Sequence, residues 1–335
     1  MEGKLDLAGA NDANLNVSAA ITTNTWNHIA ITYTDDTDDE ITIYVNGVNK
    51  GSSTGGSGAI AGEANSLLIG GPSTDNFDGK IDHFRFFGRE LTPAQIAWDY
   101  NKGAPLAHWK MDECQGTTIN DSAGNSLTGT LTPGGAPISS AGDCTTSATT
   151  SWYGGRNGKI NSGIDLDGTD DYISVTDTAN LRFDASTDDF SLFAWVKRDT
   201  TGTEYIMSKE DADNDGWRLM FSSNNVVCSE DATDVTSSST ITDTNWHFVG
   251  CTIDRDGNGQ VYIDGKADGS AVSMGTDAMA TTSNITLGTR SYTATSYLNG
   301  QIDDVKIFNY ALTAVQVRTI YNGGGARFAP VTGTP

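Results

Sequence analysis

The chain carries two copies of one pattern, in which alternating apolar and polar positions are followed by a short helical pattern. The earlier copy spans residues 77–103 and the later copy spans residues 298–325. An alternation with a period of two predicts a β-strand at the start of each copy. The apolar positions of the two predicted strands are Ile81, Phe84 and Phe86 in the first copy and Ile302, Val305 and Ile307 in the second.

A short helix is predicted directly after each strand. Thr92 and Thr313 are the predicted N-caps, because a threonine hydroxyl can accept a hydrogen bond from a free backbone N–H of the first turn. Pro93 suits the first helical position. Gly103 and Gly323 are predicted to end the two helices, since glycine readily adopts the left-handed conformation found there.

The duplication extends upstream of the two strands. Residues 26–33 correspond to residues 246–253, and residues 43–47 correspond to residues 261–265. The offset between Trp26 and Trp246 is 220 residues and stays close to this value, so a whole domain is repeated rather than a short solenoid unit. The predicted parts are an incomplete domain in residues 1–104, a complete domain in residues 105–325 and a tail in residues 326–335.

The first domain lacks the opening half of the second. At most two strands fit before Trp26, whereas well over a hundred residues of the second domain precede Trp246. A sandwich without several strands exposes sheet edges and one face of its core, which natural proteins avoid. Three explanations are open: the chain is a fragment, a second subunit supplies the missing strands, or the first domain packs its open side on the second.

The net charge narrows the range of partners. It is −23 at pH 7, whereas binding to nucleic acid or to an anionic membrane requires a basic surface. No run of about 18 apolar residues occurs, so no membrane insertion is predicted. The acidic balance favours exposure to solvent and the binding of divalent cations.

Seven motifs follow one another in an order that resembles the laminin-G-like, concanavalin A-like jelly-roll domains of secreted bacterial proteins. The resemblance implies an all-β fold of two antiparallel β-sandwiches, each with one short C-terminal helix. Lectins, adhesins and hydrolases share this fold, so it does not assign a function by itself. The motifs are A-H-W-K-M-D-E from Ala107, N-D-S-A-G-N from Asn120, I-D-L-D-G-T-D-D-Y-I from Ile164, F-S-L-F-A-W-V-K from Phe190, W-H-F-V from Trp246, V-Y-I-D-G from Val261 and G-Q-I-D-D-V-K-I-F from Gly300.

Four cysteines in a protein of secreted type favour two disulfide bonds. Cys114 and Cys144 flank a loop rich in Gly, Thr and Ser, while Cys228 and Cys251 lie in two segments predicted as strands of one sheet. The predicted pairs are Cys114–Cys144 and Cys228–Cys251, with four buried thiols as the alternative. A zinc site is not expected, because the chain contains no C-x-x-C spacing.

Asp303 is the leading candidate metal ligand, because it interrupts an apolar strand and a buried charge needs solvent or a compensating cation. The resemblance implies a structural calcium ion here, with further oxygen ligands from the loop that contains Asp121 and Asn125. Asp82 is the equivalent residue of the first domain, where that loop is missing, so a site there requires another chain. The alternative for all four residues is ordinary polarity of strand edges and hairpins.

Two acidic runs also suit calcium but are explained as well by solvated hairpins. Residues 35–40 join two predicted strands. Asp211, Asp213 and Asp215 begin a D-x-D-x-D-G string like that of an EF-hand loop, but its twelfth position is Ser222 instead of a glutamate. This second string is kept as a candidate site for an ion or another ligand.

Aromatic side chains in loops are the candidate platforms for a sugar, which stacks on an aromatic face beside polar groups. The candidates are Trp152, Tyr153, Tyr292 and Tyr297. The tryptophans in apolar strands are predicted to be core residues. These are Trp26, Trp195, Trp217 and Trp246.

No catalytic residue is predicted. The related laminarinase-like hydrolases use an E-x-D-x-x-E strand to place two carboxylates, and the chain contains no such string. The expected function is a calcium-stabilised, extracellular binding or adhesion module whose partner is a glycan or a surface polymer. One alternative is a structural subunit of a surface layer or filament that exchanges strands with copies of itself, and another is an accessory module of a larger secreted glycosidase.

Overall fold

The computed structural model describes residues 2–5, 13–16, 21–34, 40–54, 69–70, 77–145, 147–183, 188–212, 215–275, 279 and 281–323. The chain divides into two compact units, Met1–Gly103 and Ala104–Pro335. The strands are antiparallel and the helices are short, so the predicted all-β class is confirmed. None of the helices among these residues is long and apolar enough to cross a membrane.

The first unit contains a hairpin and a three-stranded meander. Strands β3 to β5 are joined in the order β3-β4-β5, strands β1 and β2 pair with each other, and β2 lies beside β4 and β5. The acidic run predicted as a hairpin lies largely outside the described residues, but Thr34 and Glu40 on its two sides are joined by a backbone hydrogen bond. The elements are β1 (Glu2–Leu5), β2 (Ala13–Asn16), β3 (Ile29–Tyr33), β4 (Ile41–Val45), β5 (Val48–Ser53) and α1 (Pro93–Asn101).

The second unit is a sandwich of two stacked sheets. Its elements are β6 (Ala107–Trp109), β7 (Thr118–Ile119), β8 (Gly129–Thr132), α2 (Ser151–Gly154), β9 (Ile164–Asp167), β10 (Tyr172–Val175), a 3-10 helix (Ala179–Leu181), β11 (Phe190–Arg198), β12 (Glu204–Glu210), β13 (Gly216–Ser222), β14 (Asn225–Glu230), β15 (Thr233–Thr240), β16 (Trp246–Ile253), β17 (Asn258–Ile263), β18 (Lys266–Ser273), β19 (Ile285–Leu287), β20 (Asn299–Phe308) and α3 (Ala314–Tyr321).

Two sheets form the layers of this sandwich. Among the described residues, one sheet has eight strands in the order β15-β14-β13-β12-β19-β10-β8-β7. The other has seven, with β18-β17-β16-β11-β20-β6 in line and β9 paired with β20. Alternate side chains of both sheets meet in one buried core, as the period of two requires.

The outer face of the seven-stranded sheet is covered by aromatic packing and by α3. The Phe193 and Phe248 rings stack with centroids 5.1 Å apart, and Trp195 stacks on Tyr321 of α3 at 5.5 Å. Trp195 is buried here and Trp217 is buried in the core between the sheets, so both tryptophans are core residues as predicted. Helix α3 therefore does not cover the outer face of the eight-stranded sheet.

Both predicted disulfide bonds are present, Cys114–Cys144 and Cys228–Cys251. The sheet assignment of the second pair was wrong. Cys228 lies on β14 of the eight-stranded sheet and Cys251 lies on β16 of the seven-stranded sheet. The bond therefore joins the two layers across the core.

The meander and the helix recur in the two units with the same local chemistry. Asn46 in the turn after β4 accepts the backbone N–H of His28 at 2.9 Å, and Asp264 in the turn after β17 accepts that of Phe248 at 3.0 Å. Asn46 and Asp264 and the glycines that follow them have positive φ, which gives a tight two-residue hairpin turn. The strands after these turns, β5 and β18, were missed, although Asn-Gly and Asp-Gly are strong hairpin signals.

The predicted helices form as expected. In each one the N-cap threonine and a glutamine three residues later complete a reciprocal capping box, with Thr92 and Gln95 in α1 and Thr313 and Gln316 in α3. Gly103 and Gly323 follow the two helix ends with φ near +75°. The helix boundaries could be predicted because they depend on residues within a few positions of each other.

The strand predicted around Ile81, Phe84 and Phe86 does not form. Residues 77–91 belong to no strand, and these three side chains are exposed. Trp26, predicted as a core residue, is 67% exposed. A strand needs a partner for its backbone groups, and the strand that lies beside the equivalent β20 in the second unit has no counterpart among the described residues of the first.

Candidate functional site

The outer face of the eight-stranded sheet carries a pocket of about 360 Å³. Side chains reach this face because strand residues alternate: Trp217, Leu219 and Phe221 of β13 point into the core, whereas the intervening positions point outward. Strand β12 is irregular between Tyr205 and Met207, where its register with β13 shifts. The residues that line the pocket include Tyr205, Arg218, Met220, Val227, Asp234 and Arg290.

An apolar row forms the floor of the pocket. Tyr205, Met220 and Val227 lie opposite one another on β12, β13 and β14. They form a small buried cluster of their own, separate from the main core. Burial, together with the neighbouring Glu210 carboxylate, raises the pKa of the Tyr205 phenol, so the hydroxyl stays protonated and can donate a hydrogen bond.

A network of charges is fixed beside this floor. Arg218 donates through Nη1 to Glu210 Oε1 at 2.8 Å and through Nη2 to Asp234 Oδ1 at 3.1 Å. Arg290 Nη2 contacts the same Glu210 oxygen at 3.4 Å, and Ser208 Oγ donates to Oε2 at 2.7 Å. Glu210 is fully buried, so these partners compensate a charge that would otherwise be costly. The guanidinium groups are held in place before any ligand arrives.

The loop between β19 and β20 forms one side of the pocket. Ser291 Oγ accepts from the backbone N–H of Glu210 at 2.7 Å and lies 3.0 Å from Ser208 Oγ, which fixes the loop on β12. Arg290 of this loop lies with its guanidinium 5.8 Å from the centre of the Tyr205 ring. The pocket is therefore closed by groups that are far apart in the sequence.

Two of the predicted aromatic platforms lie in this same loop. Tyr292 is half exposed, and Arg290, two residues earlier in the sequence, lines the pocket. Tyr297 is partly buried, and burial, with Tyr172 and Asp170 nearby, raises the pKa of its phenol. Tyr292 therefore has surface available to a ligand, and Tyr297 has less.

The other two predicted platforms differ from expectation. Trp152 is fully buried in the core, where its Nε1 donates to the carbonyl of Gly116 at 2.7 Å, so its prediction as an exposed platform was wrong. Tyr153 is partly exposed, but the Arg156 guanidinium lies 3.8 Å from the centre of its ring. The position of Trp152 in a short helix, α2, that packs inward could not be read from its loop-like surroundings.

Asp303, the leading candidate metal ligand, lies in the seven-stranded sheet. It lies on β20 at the point where the strand passes from pairing with β9 to pairing with β6. The side chain is fully buried, Oδ2 accepts from the backbone N–H of Ile160 at 2.7 Å, and Oδ1 has no hydrogen-bond partner. Burial, and then the charges of Asp304 and Asp112, raise the pKa of this carboxyl to about 7. A proton or a cation at Oδ1 would satisfy it.

In the loop predicted to complete that calcium site, the carboxylate oxygens already accept hydrogen bonds from backbone N–H groups. Asp121 Oδ1 accepts from the N–H groups of His108 and Ala123, and Oδ2 accepts from those of Asn125 and Leu127, at 2.9 to 3.3 Å. The Asn125 amide donates to the carbonyl of Leu106 at 2.8 Å. The Oδ1 atom of Asp303 is free to bind a cation, whereas both oxygens of Asp121 already accept the hydrogen bonds that hold its loop.

The remaining predicted acidic residues are dispersed. Asp82 is exposed, and its Oδ1 accepts from the backbone N–H of His83 at 2.8 Å and lies 3.3 Å from His83 Nδ1. Asp211 and Asp215 close the hairpin between β12 and β13, with the Asp215 N–H 3.1 Å from Asp211 Oδ1. This arrangement agrees with the interpretation of the D-x-D-x-D-G string as a hairpin. Asp213 lies outside the described residues.

Two triads of aspartates bring their carboxylate oxygens within 4.8 Å of one another among the described residues. One contains Asp167, Asp170 and Asp171, and the other contains Asp189, Asp254 and Asp256. Burial raises the pKa of Asp171 and Asp189 to about 6 and that of Asp254 to about 7. Such groups can hold a hard cation, and neither triad includes a residue proposed from the sequence.

The pocket residues were not predicted from the sequence. Arg218, Arg290 and Asp234 come from two strands and a loop, and their proximity depends on the register of β12 to β15. One signal was available, because Arg218 and Met220 alternate with the apolar Trp217, Leu219 and Phe221, which predicts an arginine on the outer face. The cross-strand partners of that arginine could not be deduced from alternation alone.

A protein-family comparison matches residues 3–97 and 167–318 to the concanavalin A-like lectin/glucanases superfamily. None of the curated proteins compared with the chain matches it. Among solved structures, the binding domain of botulinum neurotoxin DC in complex with rat synaptotagmin II is similar at 16% identity, with a TM-score of 0.48, over 68% of this chain and 52% of that one. The binding domain of Paraclostridial Mosquitocidal Protein 1 is similar at 18% identity, with a TM-score of 0.48, over 67% and 53% of the two chains. The chain thus spans about half the length of these structures, and we draw no functional conclusion from likenesses of this degree.

Proposed function

Because the chain belongs to the concanavalin A-like lectin/glucanases superfamily, we propose that its second unit is a non-catalytic module that binds carbohydrate. The observation that carries the proposal is the pocket on the outer face of the eight-stranded sheet. There, fixed guanidinium and carboxylate groups surround an apolar floor that includes the Tyr205 ring. Binding sites of this composition orient a ligand with a few polar groups and hold it on apolar surface.

The chemistry of the pocket suits a sugar. A pyranose offers hydroxyl groups to donors and acceptors and a patch of C–H groups to an aromatic or aliphatic surface. Arg218 and Arg290 supply donors, Asp234 supplies an acceptor that is 54% exposed, and Tyr205 and Met220 supply the apolar surface. Polymers of such sugars, as glycans or surface polysaccharides, are the proposed partners.

The charge balance favours a neutral sugar over an acidic one. Two guanidinium groups, Arg218 and Arg290, are opposed in and under the pocket by the carboxylates of Glu210, Asp231 and Asp234. The local formal charge is therefore slightly negative. A strongly anionic ligand would meet no surplus of positive charge here.

The arrangement of the carboxylates supports a non-catalytic role. Glycoside hydrolysis uses two carboxyl groups that flank the scissile bond. Glu210 is fully buried and held by Arg218, Arg290 and Ser208, so it does not face a ligand. Asp234 accepts from Arg218 and from Ser229. Glu210 thus holds both arginines, and Asp234 holds Arg218.

We further propose that the module works outside the cell and binds a calcium ion at Asp303. Disulfide bonds such as the two found here persist in oxidising compartments, which supports the extracellular location. The unpartnered, fully buried Oδ1 of Asp303 supports the cation. Calcium would supply charge compensation for this buried carboxylate and would take no part in sugar recognition.

The proposal is tested by screening the full chain on a broad glycan array and measuring the best glycan by titration calorimetry. We expect Tyr205→Phe, Arg290→Met and Tyr292→Ala each to weaken binding about tenfold, which is about 1.4 kcal/mol. Val315→Ser, an exposed position on α3, is the matched control and should bind like the wild type. Absence of binding across the array, or equal affinity in all variants, would overturn the proposal.

A further inference from the structure

The first unit exposes an unusual amount of apolar side-chain surface, and it does so on two separate segments. The first segment is β3 with the residues just before it, and the second is residues 81–87, which belong to no strand. Exposed apolar patches of this kind mark interaction sites in soluble proteins. The exposed fractions are 67% for Trp26, 44% for Ile29, 52% for Ile31, 50% for Ile81, 52% for Phe84 and 84% for Phe86.

The second unit contains the equivalent residues and shows what covers them. Val249 and Cys251 on β16 correspond to Ile29 and Ile31, and Ile302, Val305 and Ile307 on β20 correspond to Ile81, Phe84 and Phe86. All five are fully buried in the second unit. The difference between the units lies in their surroundings and not in the polarity of these positions.

The strand that lies between these two segments in the second unit is β11. It pairs with β16 on one side, where Leu192 lies opposite Cys251, and with β20 on the other, where Leu192 lies opposite Ile307. Eight of the nine residues of β11 are buried. In the described part of the first unit, β3 is an edge strand that pairs only with β4. An edge strand presents a backbone template for a further strand.

We propose that the first unit is an acceptor site for an extended strand of a partner polypeptide, which enters between β3 and residues 81–87 and has the chemistry of β11. Such a strand is apolar on both faces and lies antiparallel to both neighbours. Backbone hydrogen bonds supply affinity and the alternating side chains supply specificity, as in other cases of β-strand addition.

The two segments that flank the proposed site both contact one residue of α1. Oδ1 of Asp99, on α1, accepts a hydrogen bond from Arg85 of the second segment. Oδ2 of Asp99 lies 3.5 Å from Nε2 of His28, which precedes β3. Helix α1 is itself anchored by its buried Ile96 and Ala97 and by its capping box. The helix therefore holds both segments at the same end of the unit while their apolar side chains remain exposed.

A second copy of the chain does not offer a suitable strand. Its own β11 is buried and paired on both edges within its second unit. Two copies could pair through their β3 edges, but this would place no new strand beside residues 81–87. The proposed occupant is a polypeptide segment that carries a free strand of the β11 type.

The test adds a synthetic peptide with the sequence of residues 188–199 to the full chain and follows amide hydrogen exchange by mass spectrometry. We expect a one-to-one complex in which exchange in residues 29–33 and 81–87 slows at least tenfold, while exchange in β12–β15 is unchanged. The control peptide carries Ala194→Pro, which removes a backbone donor and should give no protection.

A double variant, Ile31→Lys with Phe84→Lys, tests the acceptor side. Both positions are exposed, so the variant should keep the circular dichroism spectrum of the wild type and lose the protection by the peptide. Protection that is absent in the wild type, that is equal with the proline peptide, or that survives in the variant would overturn the proposal. Protection that rises with protein concentration without any peptide would also overturn it, because a second copy would then be the occupant.

Discussion

Asp303 shows how burial turns one carboxyl group into a pH-dependent element of stability. Burial raises its pKa to about 7, above the ordinary value near 4 of an unfolded chain. The folded state therefore binds the extra proton, so the stabilising contribution is complete below about pH 4 and is lost as pH rises through about 7. We expect the free energy of unfolding of the second unit to fall between about pH 4 and pH 7, with about 4 kcal/mol of the fall due to Asp303.

Asp303→Asn checks this pH dependence, because an amide does not titrate. Its free energy of unfolding should change less across the same pH range than that of the wild type. Some slope should remain, since burial also raises the pKa of Asp165 and Asp254 to about 7. Asp78→Asn, at an exposed position of the first unit, should keep the full slope. Identical slopes in the wild type and in Asp303→Asn would contradict the assignment.

A calcium ion at Asp303 predicts a linked effect. Because the cation and the proton compete for the same carboxylate, calcium should raise the melting temperature more at about pH 8 than at about pH 6. Chelation should reverse the increase in the wild type and have no effect in Asp303→Asn. A calcium response that the variant retains would place the ion elsewhere, with the two aspartate triads as the first positions to examine.

At the scale of single residues, the sequence was informative where a side chain breaks a local pattern. Asp303 stood out because it interrupts an apolar strand, and the structure finds it fully buried. Asp121 was recognised as a loop residue, but its four backbone partners lie up to 13 residues away and were not foreseen. The pairing of Arg218 with Glu210 and Asp234 depends on strand register, which no local pattern records.

At the scale of elements, the capping box of α3 gives a direct prediction. Thr313 accepts from the backbone N–H of Gln316, so Thr313→Ala should destabilise the second unit by about 1 kcal/mol in chemical denaturation. Thr319→Ala, inside the same helix and partly exposed, is the matched control and should cost less, because alanine is the better helix former there. Equal effects of the two substitutions would show that the cap does not stabilise the fold.

An element could be predicted from the sequence where it depends only on residues close to it in the chain. Helix boundaries follow from threonine, glutamine and glycine within a few residues, and they were found. The strand expected around Ile81 and Phe84 shows the limit, since the same alternating pattern forms β20 in the second unit and no strand in the first. A strand exists only where a neighbour pairs with its backbone, and that neighbour is distant in sequence.

At the scale of the whole molecule, the duplication and the all-β class follow from the order of the motifs. The layer to which each strand belongs does not, as the Cys228–Cys251 bond between the two sheets demonstrates. The two units differ in what they expose, and their proposed roles differ accordingly. The second has a closed core and an open polar face, while the first exposes the apolar positions that its counterpart buries.

The most direct test of the account is to map the bound sugar by nuclear magnetic resonance on the labelled full chain. We expect the array-selected glycan to shift the amide signals of β12, β13, β14 and residues 289–297. The signals of β16, β17, β18 and α3 should stay in place. Shifts confined to those latter elements, or no shifts at saturating glycan, would contradict the assignment of the pocket as the binding site.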